Sequence, residues 1–262
     1  MIIKRLPGLL LAALLLSVPA RAEDAVKVTV EGEPVPAFAE DGVTYVQLVP
    51  LLEALGGWET VWDPAARSAT AETALFTLEV PVQQGYVLAD GYSYETDRMA
   101  LLREERTYVP LRSVANLLGA QVDFTGWEEP VAVRVREQMI CTEEDFYWLC
   151  RIISAESKGE SLAGQIAVGN VICNRVASDQ FPDTITDVVF DRKDGVQFEP
   201  VSNQTIFLEP TGQSVLAAHL ALAGVDVAGE SLYFFNPAYS QGLWVRANRT
   251  YCTTIGCHMF YQ

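Results

Sequence analysis

The sequence predicts two domains, an N-terminal α+β domain that is mostly β and a C-terminal domain that is mainly α. Three observations support this prediction. Residues 25–135 contain stretches such as VKVTVEG and VAVRV, whose alternation of apolar and polar side chains is typical of half-buried strands. One segment of this half occurs twice. After a short junction at residues 136–142, the apolar side chains of residues 143–262 recur with the helical period instead.

Residues 1–22 are predicted to be a secretory signal peptide. Lys4 and Arg5 precede the apolar run LPGLLLAALLLSV, and Ala20-Arg21-Ala22 matches a small-x-small cleavage site. The apolar run is too short for a membrane anchor, and no later stretch reaches about 18 apolar residues. We therefore expect a secreted or wall-associated protein that is cleaved near Ala22-Glu23 and has no membrane partner afterwards.

The composition argues against several classes of partner and cofactor. The 34 Asp and Glu residues outnumber the 18 Lys and Arg residues, and the formal net charge is −16. A chain this acidic repels nucleic acid and anionic lipid, so neither is an expected partner. With two histidines and no CxxC pair, the sequence predicts no structural zinc or copper site, and no metal or organic cofactor is expected.

All five cysteines lie in the second half of the chain. Export permits disulfides, and an odd count leaves at least one cysteine unpaired or paired between chains. Cys252 and Cys257 are close enough in sequence to close a small loop. A helix between Cys141 and Cys150 would hold those two apart, and Cys173 is expected to be a small buried apolar residue.

The repeated segment reads TYVQLVPLLEALGGWETVWD at residues 44–63 and TYVPLRSVANLLGAQVDFTG at residues 107–126. Each copy predicts a strand, a short helix and a closing strand, with Gly56 and Gly119 at the helix ends. This pattern resembles the copper amine oxidase N-terminal domain over residues 25–135. The resemblance implies a module that targets the wall or binds a wall component, or alternatively a spacer. It does not imply copper.

The second half begins with two predicted helices. Thr142 is a candidate N-cap ahead of three acids, and the apolar stripe that follows ends at Glu156, near the C-terminus of the first helix. Burial and the negative end of the helix dipole both favour the protonated acid, which is the form a general acid needs. The alternative is an ion-paired or half-exposed acid at a helix end.

A turn at residues 158–160 and a second helix from about Leu162 to Val176 are predicted next. Gly159 indicates that the first helix stops before Glu160, so Glu160 is expected to be a solvated cap residue. Asn174 and Arg175 are expected to cap and tether the second helix.

Three later segments, GVQFEPV (195–201), SLYFFNPAYSQGLWV (231–245) and TTIGCHMFYQ (253–262), are rich in aromatic and amide side chains. We expect loops and short strands there. Aromatic rings pack on the apolar faces of sugar rings, and amides bind hydroxyl and N-acetyl groups. Three such clusters after a helix that ends in a lone acid therefore predict a sugar-binding groove.

Residues 144–262 resemble the spore cortex-lytic (SleB-like) cell wall hydrolases. The matching phrases are ISAESKGESLAGQIAVGNVICNRV, VQFEPV, LYFFNPA and TIGCHMFY. The resemblance implies a lysozyme-like, mainly helical domain with a small sheet that cleaves the glycan strands of peptidoglycan. It also implies that the Glu of the AExxGE phrase, Glu156, is the catalytic acid. The family often has Ala-Arg at Ser157-Lys158 and Asn at Cys257, and the second difference affects the surroundings of His258.

The predicted reaction is lytic transglycosylation between N-acetylmuramic acid and N-acetylglucosamine, with Glu156 as the single general acid and base. Because most glycoside hydrolases use two carboxylates, a true hydrolase with Glu199 as the second is an alternative, as is a non-catalytic wall-binding protein. Vegetative wall and spore cortex both remain possible substrates. The predicted substrate-binding residues are Gln197, Phe198, Tyr233, Phe235, Asn236, Trp244 and His258. For His258, contact with the substrate and support of the C-terminal strand are both open.

Overall fold

A computed structural model describes residues 24–73, 76–126, 129–193 and 195–262 of the chain. The predicted signal peptide, residues 1–22, lies outside these described residues. Within them, strands account for most of the structure before residue 136, and helices for most of it from residue 143 onwards. The predicted fold class, a mostly β half followed by a mainly α half, is confirmed.

The described residues of the N-terminal half form three sheets. Their strands are β1 (Asp24–Ala25), β2 (Val28–Val30), β3 (Glu33–Val35), β4 (Ala37–Glu40), β5 (Val43–Gln47), β6 (Glu59–Asp63), β7 (Ser68–Glu72), β8 (Thr77–Pro81), β9 (Tyr86–Ala89), β10 (Tyr92–Glu95), β11 (Leu101–Arg103), β12 (Arg106–Pro110), β13 (Ala120–Asp123) and β14 (Val131–Val135). In space they are ordered β1-β4-β5-β12-β11, β10-β9-β8-β7-β6 and β13-β14-β2-β3. β14 and β2 pair in parallel, whereas neighbours such as β4 and β5 are antiparallel.

The two copies of the repeated segment form the same strand–helix–strand unit, as predicted. In the first copy, helix α1 (Leu48–Leu55) joins β5 to β6, and in the second, helix α2 (Leu111–Leu117) joins β12 to β13. β5 and β12 pair antiparallel, with Val46 opposite Val109. The apolar faces of both helices are buried in one core, so the two repeated units share a single hydrophobic core.

The C-terminal half consists of helices and one small sheet. Its helices are α3 (Glu143–Ser157), α4 (Leu162–Val176), α5 (Ile185–Phe190), α6 (Glu199–Ser202), α7 (Gly212–Leu222) and α8 (Leu243–Asn248), with a 3₁₀ turn at Thr205–Phe207. The sheet has the order β15 (Tyr233–Phe235), β17 (His258–Tyr261) and β16 (Tyr251–Ile255). The clusters at 195–201 and 231–245 thus contain α6 and the start of α8 in addition to the loops and short strands expected.

Local signals define α3, and close packing fixes its position. The Thr142 hydroxyl accepts the Asp145 N–H at 3.1 Å, and the Asp145 carboxylate accepts the Thr142 N–H at 3.2 Å, which is a capping box. At Gly169 in α4, a Cβ would lie 2.9 Å from the Ala221 Cβ and 3.1 Å from the Ile153 Cδ1. Glycine therefore lets α3, α4 and α7 approach closely, and this packing holds the end of α3 in place.

The predicted junction, residues 136–142, packs against α7. The Arg136 guanidinium donates to the Asn116 side chain at 2.7 Å and to the Gly224 carbonyl at 2.8 Å. The Asn116 amide in turn donates to the Asp226 carbonyl at 2.8 Å, and the Met139 N–H donates to the Leu222 carbonyl at 2.9 Å. These bonds connect the N-terminal half directly to the C-terminal half.

The five cysteines are all free. Cys257 lies in the turn between β16 and β17, whereas Cys252 lies near the start of β16, next to Thr253, which pairs with Phe260. At about 3.3 Å per residue along a strand, the Cα atoms of Cys252 and Cys257 are too far apart for a disulfide, which needs less than about 7 Å. The small Cys252–Cys257 loop considered from the sequence is therefore not formed. Cys173 is buried, as predicted.

The helices in the described part of the chain include none with the length and apolar character to cross a membrane.

Candidate active site

A cleft of about 800 Å³ lies where four parts of the C-terminal half meet. They are the end of α3, helix α6, the chain that follows β15, and the turn between β16 and β17. The three aromatic and amide clusters identified in the sequence all contribute to its lining, which also includes three glutamates, Glu156, Glu160 and Glu199. The tertiary structure therefore brings the candidate acid and the three clusters together, as a sugar-binding groove requires.

Glu156 lies one residue before the end of α3, and its side chain is partly buried in the lining of the cleft. The pKa of the Glu156 carboxyl is raised to about 7, first by burial and second by the negative charge of Glu199, while the positive charge of Arg175 lowers it. A solvated glutamate is ionised at neutral pH, whereas this one is about half protonated. The geometry supports an acid that can donate a proton and later take one back.

Five of the predicted substrate-binding residues line the cleft: Gln197, Phe198, Phe235, Asn236 and His258. Gln197 and Asn236 are partly exposed and present amide groups there. Phe198 and Phe235 are buried, so they support the floor of the cleft and expose little of their own surface to it. Phe235 also packs against Gly242, where a Cβ would come within 2.3 Å of the ring.

Tyr233 and Trp244 lie outside this lining. Their ring centroids are 6.1 Å apart, and the Arg249 guanidinium stacks on both rings while donating to the Tyr233 hydroxyl at 2.7 Å. Trp244 remains 58% exposed. Contact between these two residues and a substrate stays a prediction that would require a ligand longer than the cleft.

Glu160 is not the solvated cap residue that the sequence predicted. Its side chain is only 12% exposed, and its Oε2 accepts the Cys257 N–H at 3.0 Å. A Cβ at Gly256 would lie 1.9 Å from the same oxygen, so only glycine lets the carboxylate reach the turn between β16 and β17. Glu160 therefore ties the loop after Glu156 to the C-terminal hairpin.

His258 is 5% exposed and packs edge-on against Phe234, with its Nδ1 3.7 Å from the Glu160 Oε1. Burial lowers the pKa of His258, and the nearby Glu160 charge opposes that shift. The imidazole is therefore neutral at neutral pH and does not form an ion pair with Glu160. This packing favours the second sequence interpretation, in which His258 supports the strand.

The sequence reasoning did not place Arg175 or Tyr239 at the site, although both line the cleft. Arg175 does tether α4, as predicted, because its Nε donates to the Leu232 carbonyl at 2.8 Å. No sequence pattern indicated that Arg175 lines the cleft, because its position there depends on how α4 packs beside α3. Glu199, which the sequence offered as a second carboxylate, also lines the cleft, and its negative charge acts on Glu156.

A second cavity, of about 710 Å³, lies in the N-terminal half between Arg112, Phe124 and Arg134. Its carboxylates are Asp123 and Glu129, and Asp123 pairs with Arg134 at 3.6 Å. Within the described ranges, no group of three or more His, Cys, Asp or Glu residues is arranged to hold a metal ion. Because the cleft of the C-terminal half combines a partly buried acid of raised pKa with amide and aromatic groups, we take it as the candidate active site.

Each half of the chain matches a known protein family. Residues 27–133 match the family described as copper amine oxidase N-terminal domain, and residues 159–261 match the family described as cell wall hydrolase. The second match begins three residues after Glu156. The spore cortex-lytic enzyme of Bacillus cereus is 36% identical over 121 residues, which are 45% of this chain and 44% of that protein. The Bacillus subtilis enzyme of the same name is 31% identical over 121 residues, 46% of this chain and 38% of that protein.

The chain thus spans less than half the length of these curated relatives. A solved catalytic domain of the germination-specific lytic transglycosylase SleB from Bacillus anthracis is 34% identical, with a TM-score of 0.43, and the match covers 46% of this chain and 96% of that one. Residues 27–133 are thus similar to the copper amine oxidase N-terminal domain, and the C-terminal half is similar to cell wall hydrolase domains, including those of spore cortex-lytic enzymes.

Proposed function

We propose that this protein is an exported lytic transglycosylase that cleaves the glycan strands of peptidoglycan, with Glu156 as its general acid and base. The observation that carries the proposal is Glu156 itself, an acid with a pKa of about 7 in a cleft lined by aromatic and amide side chains. The similar curated proteins are named spore cortex-lytic enzymes, and the similar solved domain is named a germination-specific lytic transglycosylase.

The reaction needs one carboxyl group used twice. Protonated Glu156 donates its proton to the oxygen between N-acetylmuramic acid and N-acetylglucosamine, and the glycosidic bond breaks. The N-acetyl group of the substrate stabilises the positive charge at the anomeric carbon. The C6 hydroxyl of the muramic acid then attacks that carbon while ionised Glu156 takes the hydroxyl proton. The product is a 1,6-anhydro sugar, and no water is consumed.

A true hydrolase is the second candidate because of Glu199. This residue lines the same cleft, and its negative charge raises the pKa of Glu156. A second carboxylate is what a hydrolase uses as base or nucleophile. We also propose that the N-terminal domain binds a wall component, and that residues 1–22 direct export.

The product distinguishes the candidates. We expect mass spectrometry of muropeptides released by the purified protein, from vegetative wall and from spore cortex, to find 1,6-anhydromuramic ends. The Glu156→Gln variant should release them at least about 100-fold more slowly. Reducing ends that carry an added water would instead establish a hydrolase and direct attention to Glu199. If the wild type cleaves neither preparation, the protein binds the wall without cutting it.

The pH dependence provides a further prediction. Because Glu156 must be protonated to start the reaction, kcat/KM should fall as pH rises through about 7. In Glu199→Gln the negative charge beside Glu156 is gone, the pKa of Glu156 falls, and this decline should begin at lower pH. Initial rates from about pH 5 to about pH 9 measure both profiles.

Glu209→Gln is the matched control. Glu209 is also a glutamate of this half, but its side chain is 87% exposed and pairs with Arg151 at 2.7 Å. This variant should keep the wild-type profile. A Glu199→Gln profile that coincides with the wild type would show that Glu199 exerts no influence on the acid.

A further inference from the structure

Arg175 is held rigidly in the wall of the cleft. It lies in the last turn of α4, its residue is 4% exposed, and its Nε donates to the Leu232 carbonyl at 2.8 Å. Its guanidinium carbon is 4.7 Å from the ring centroid of Phe181 and 5.1 Å from that of Phe198. These aromatic faces favour a cation between them and fix the plane of the guanidinium.

One end of this guanidinium has no partner. The Nη1 atom is fully buried, and among the described residues no acceptor lies within hydrogen-bonding distance. A buried N–H group without an acceptor is unfavourable, and it is rarer still on a charged side chain. The tether to Leu232 needs only the Nε atom, so it does not explain why a charged group with an open donor is placed here.

The groups around Glu156 indicate which acceptor is available to the Arg175 Nη1 donor. Glu199 approaches from α6, Glu160 from the loop after α3, His258 from β17 and Arg175 from α4. The first two are acids and the third is neutral at neutral pH because burial lowers its pKa. Among the described residues that line the cleft, Arg175 is therefore the single Lys or Arg. Burial lowers the pKa of Arg175 to about 10, which leaves it charged at neutral pH.

We propose that Arg175 is the cation that stabilises Glu156 in its ionised form, after Glu156 has transferred its proton to the leaving sugar oxygen. This inference rests on the proposed function and adds a residue to it. When the glycosidic bond breaks, the proton leaves Glu156 and a negative charge appears in a partly buried site. The fixed guanidinium, with its open Nη1 donor, stabilises that charge from the wall of the cleft. When Glu156 takes the proton of the C6 hydroxyl, the negative charge disappears again.

The test follows the Glu156 carboxyl directly. The protein is labelled with ¹³C at the glutamate side-chain carboxyl, the Glu156 signal is assigned by its absence in Glu156→Gln, and its shift is followed against pH by NMR. In Arg175→Met, which keeps a long apolar side chain among the rings, the midpoint should move to higher pH by at least about half a unit. Arg175→Lys, which keeps the charge, should fall between the two.

Arg249→Met is the matched control, because the Arg249 guanidinium also stacks on an aromatic ring, 4.4 Å from the Tyr233 centroid, but does not line the cleft. It should leave the Glu156 midpoint unchanged. Muropeptide release by Arg175→Met should also fall about 10- to 100-fold. A folded Arg175→Met protein with the wild-type midpoint would overturn the proposal and leave Arg175 as a tether. The titration does not depend on turnover, so it separates this result from a failure of the proposed function.

Discussion

Replacing Glu156 by glutamine is expected to reduce glycan cleavage by roughly 10²- to 10⁴-fold, the usual contribution of a general acid. Glutamine has nearly the same shape but cannot donate a carboxylic proton to the glycosidic oxygen or take one from the C6 hydroxyl. The measurement is the initial rate of muropeptide release at pH 6 and at pH 7, about the range in which Glu156 still carries its proton.

Glu156→Gln should also be more stable than the wild type in alkaline solution. This result would show that the variant is folded and that its loss of activity is not caused by unfolding. The pKa of Glu156 is about 7 in the folded chain, against 4.5 for a solvated glutamate, so the folded state holds this proton more tightly. Its contribution to the free energy of unfolding is complete below pH 4.5 and is lost as pH rises through 7. At pH 8, Glu156→Gln should unfold with a free energy higher by about 1 to 3 kcal/mol, measured by denaturant titration.

Near pH 4 the two proteins should have similar stability, because Glu156 is then protonated in both the folded and the unfolded chain. The proposal fails if Glu156→Gln is folded and still releases muropeptides at the wild-type rate. The catalytic carboxyl would then have to be sought at Glu199, the other acid whose charge reaches this position.

Replacing Gly256 by alanine is expected to lower the free energy of unfolding by about 2 to 4 kcal/mol. The backbone at Gly256 has a φ of +56°, which is unfavourable for alanine, and the new Cβ would lie 1.9 Å from the Glu160 Oε2. The carboxylate must move away, and the Cys257 N–H loses its acceptor. Because the hairpin also carries His258 into the cleft wall, muropeptide release should fall as well.

Gly229→Ala is the control that measures only the cost of placing alanine at a positive φ. Gly229 has almost the same φ, +58°, but no atom lies within 4 Å of its Cβ position. It should therefore cost only about 1 to 2 kcal/mol. Adding Glu160→Ala to Gly256→Ala should cost less than the sum of the two single changes, since they disrupt one contact. Equal costs for Gly256→Ala and Gly229→Ala would mean that the Glu160 carboxylate does not occupy this turn.

The sequence alone predicted the features that depend on residues close to one another along the chain. The N-cap at Thr142 and the apolar stripe of α3 placed Glu156 at a helix end, and helix α4 has the predicted bounds, Leu162 to Val176. The two copies of the TYV segment predicted both strand–helix–strand units. These signals are local, because capping and periodicity act within a few residues.

The surroundings of Glu156 could be decided only by the tertiary structure. Glycine at 159 correctly indicated where α3 stops, but it did not show that Glu160 would turn inward to the backbone of Cys257, which lies in a distant hairpin. Arg175 was correctly predicted to tether α4, yet its place beside Glu156 depends on how closely α4 packs on α3 through Gly169. Burial and charge act through space between residues that are far apart in the sequence, so the packing of the helices and the hairpin sets the protonation of Glu156.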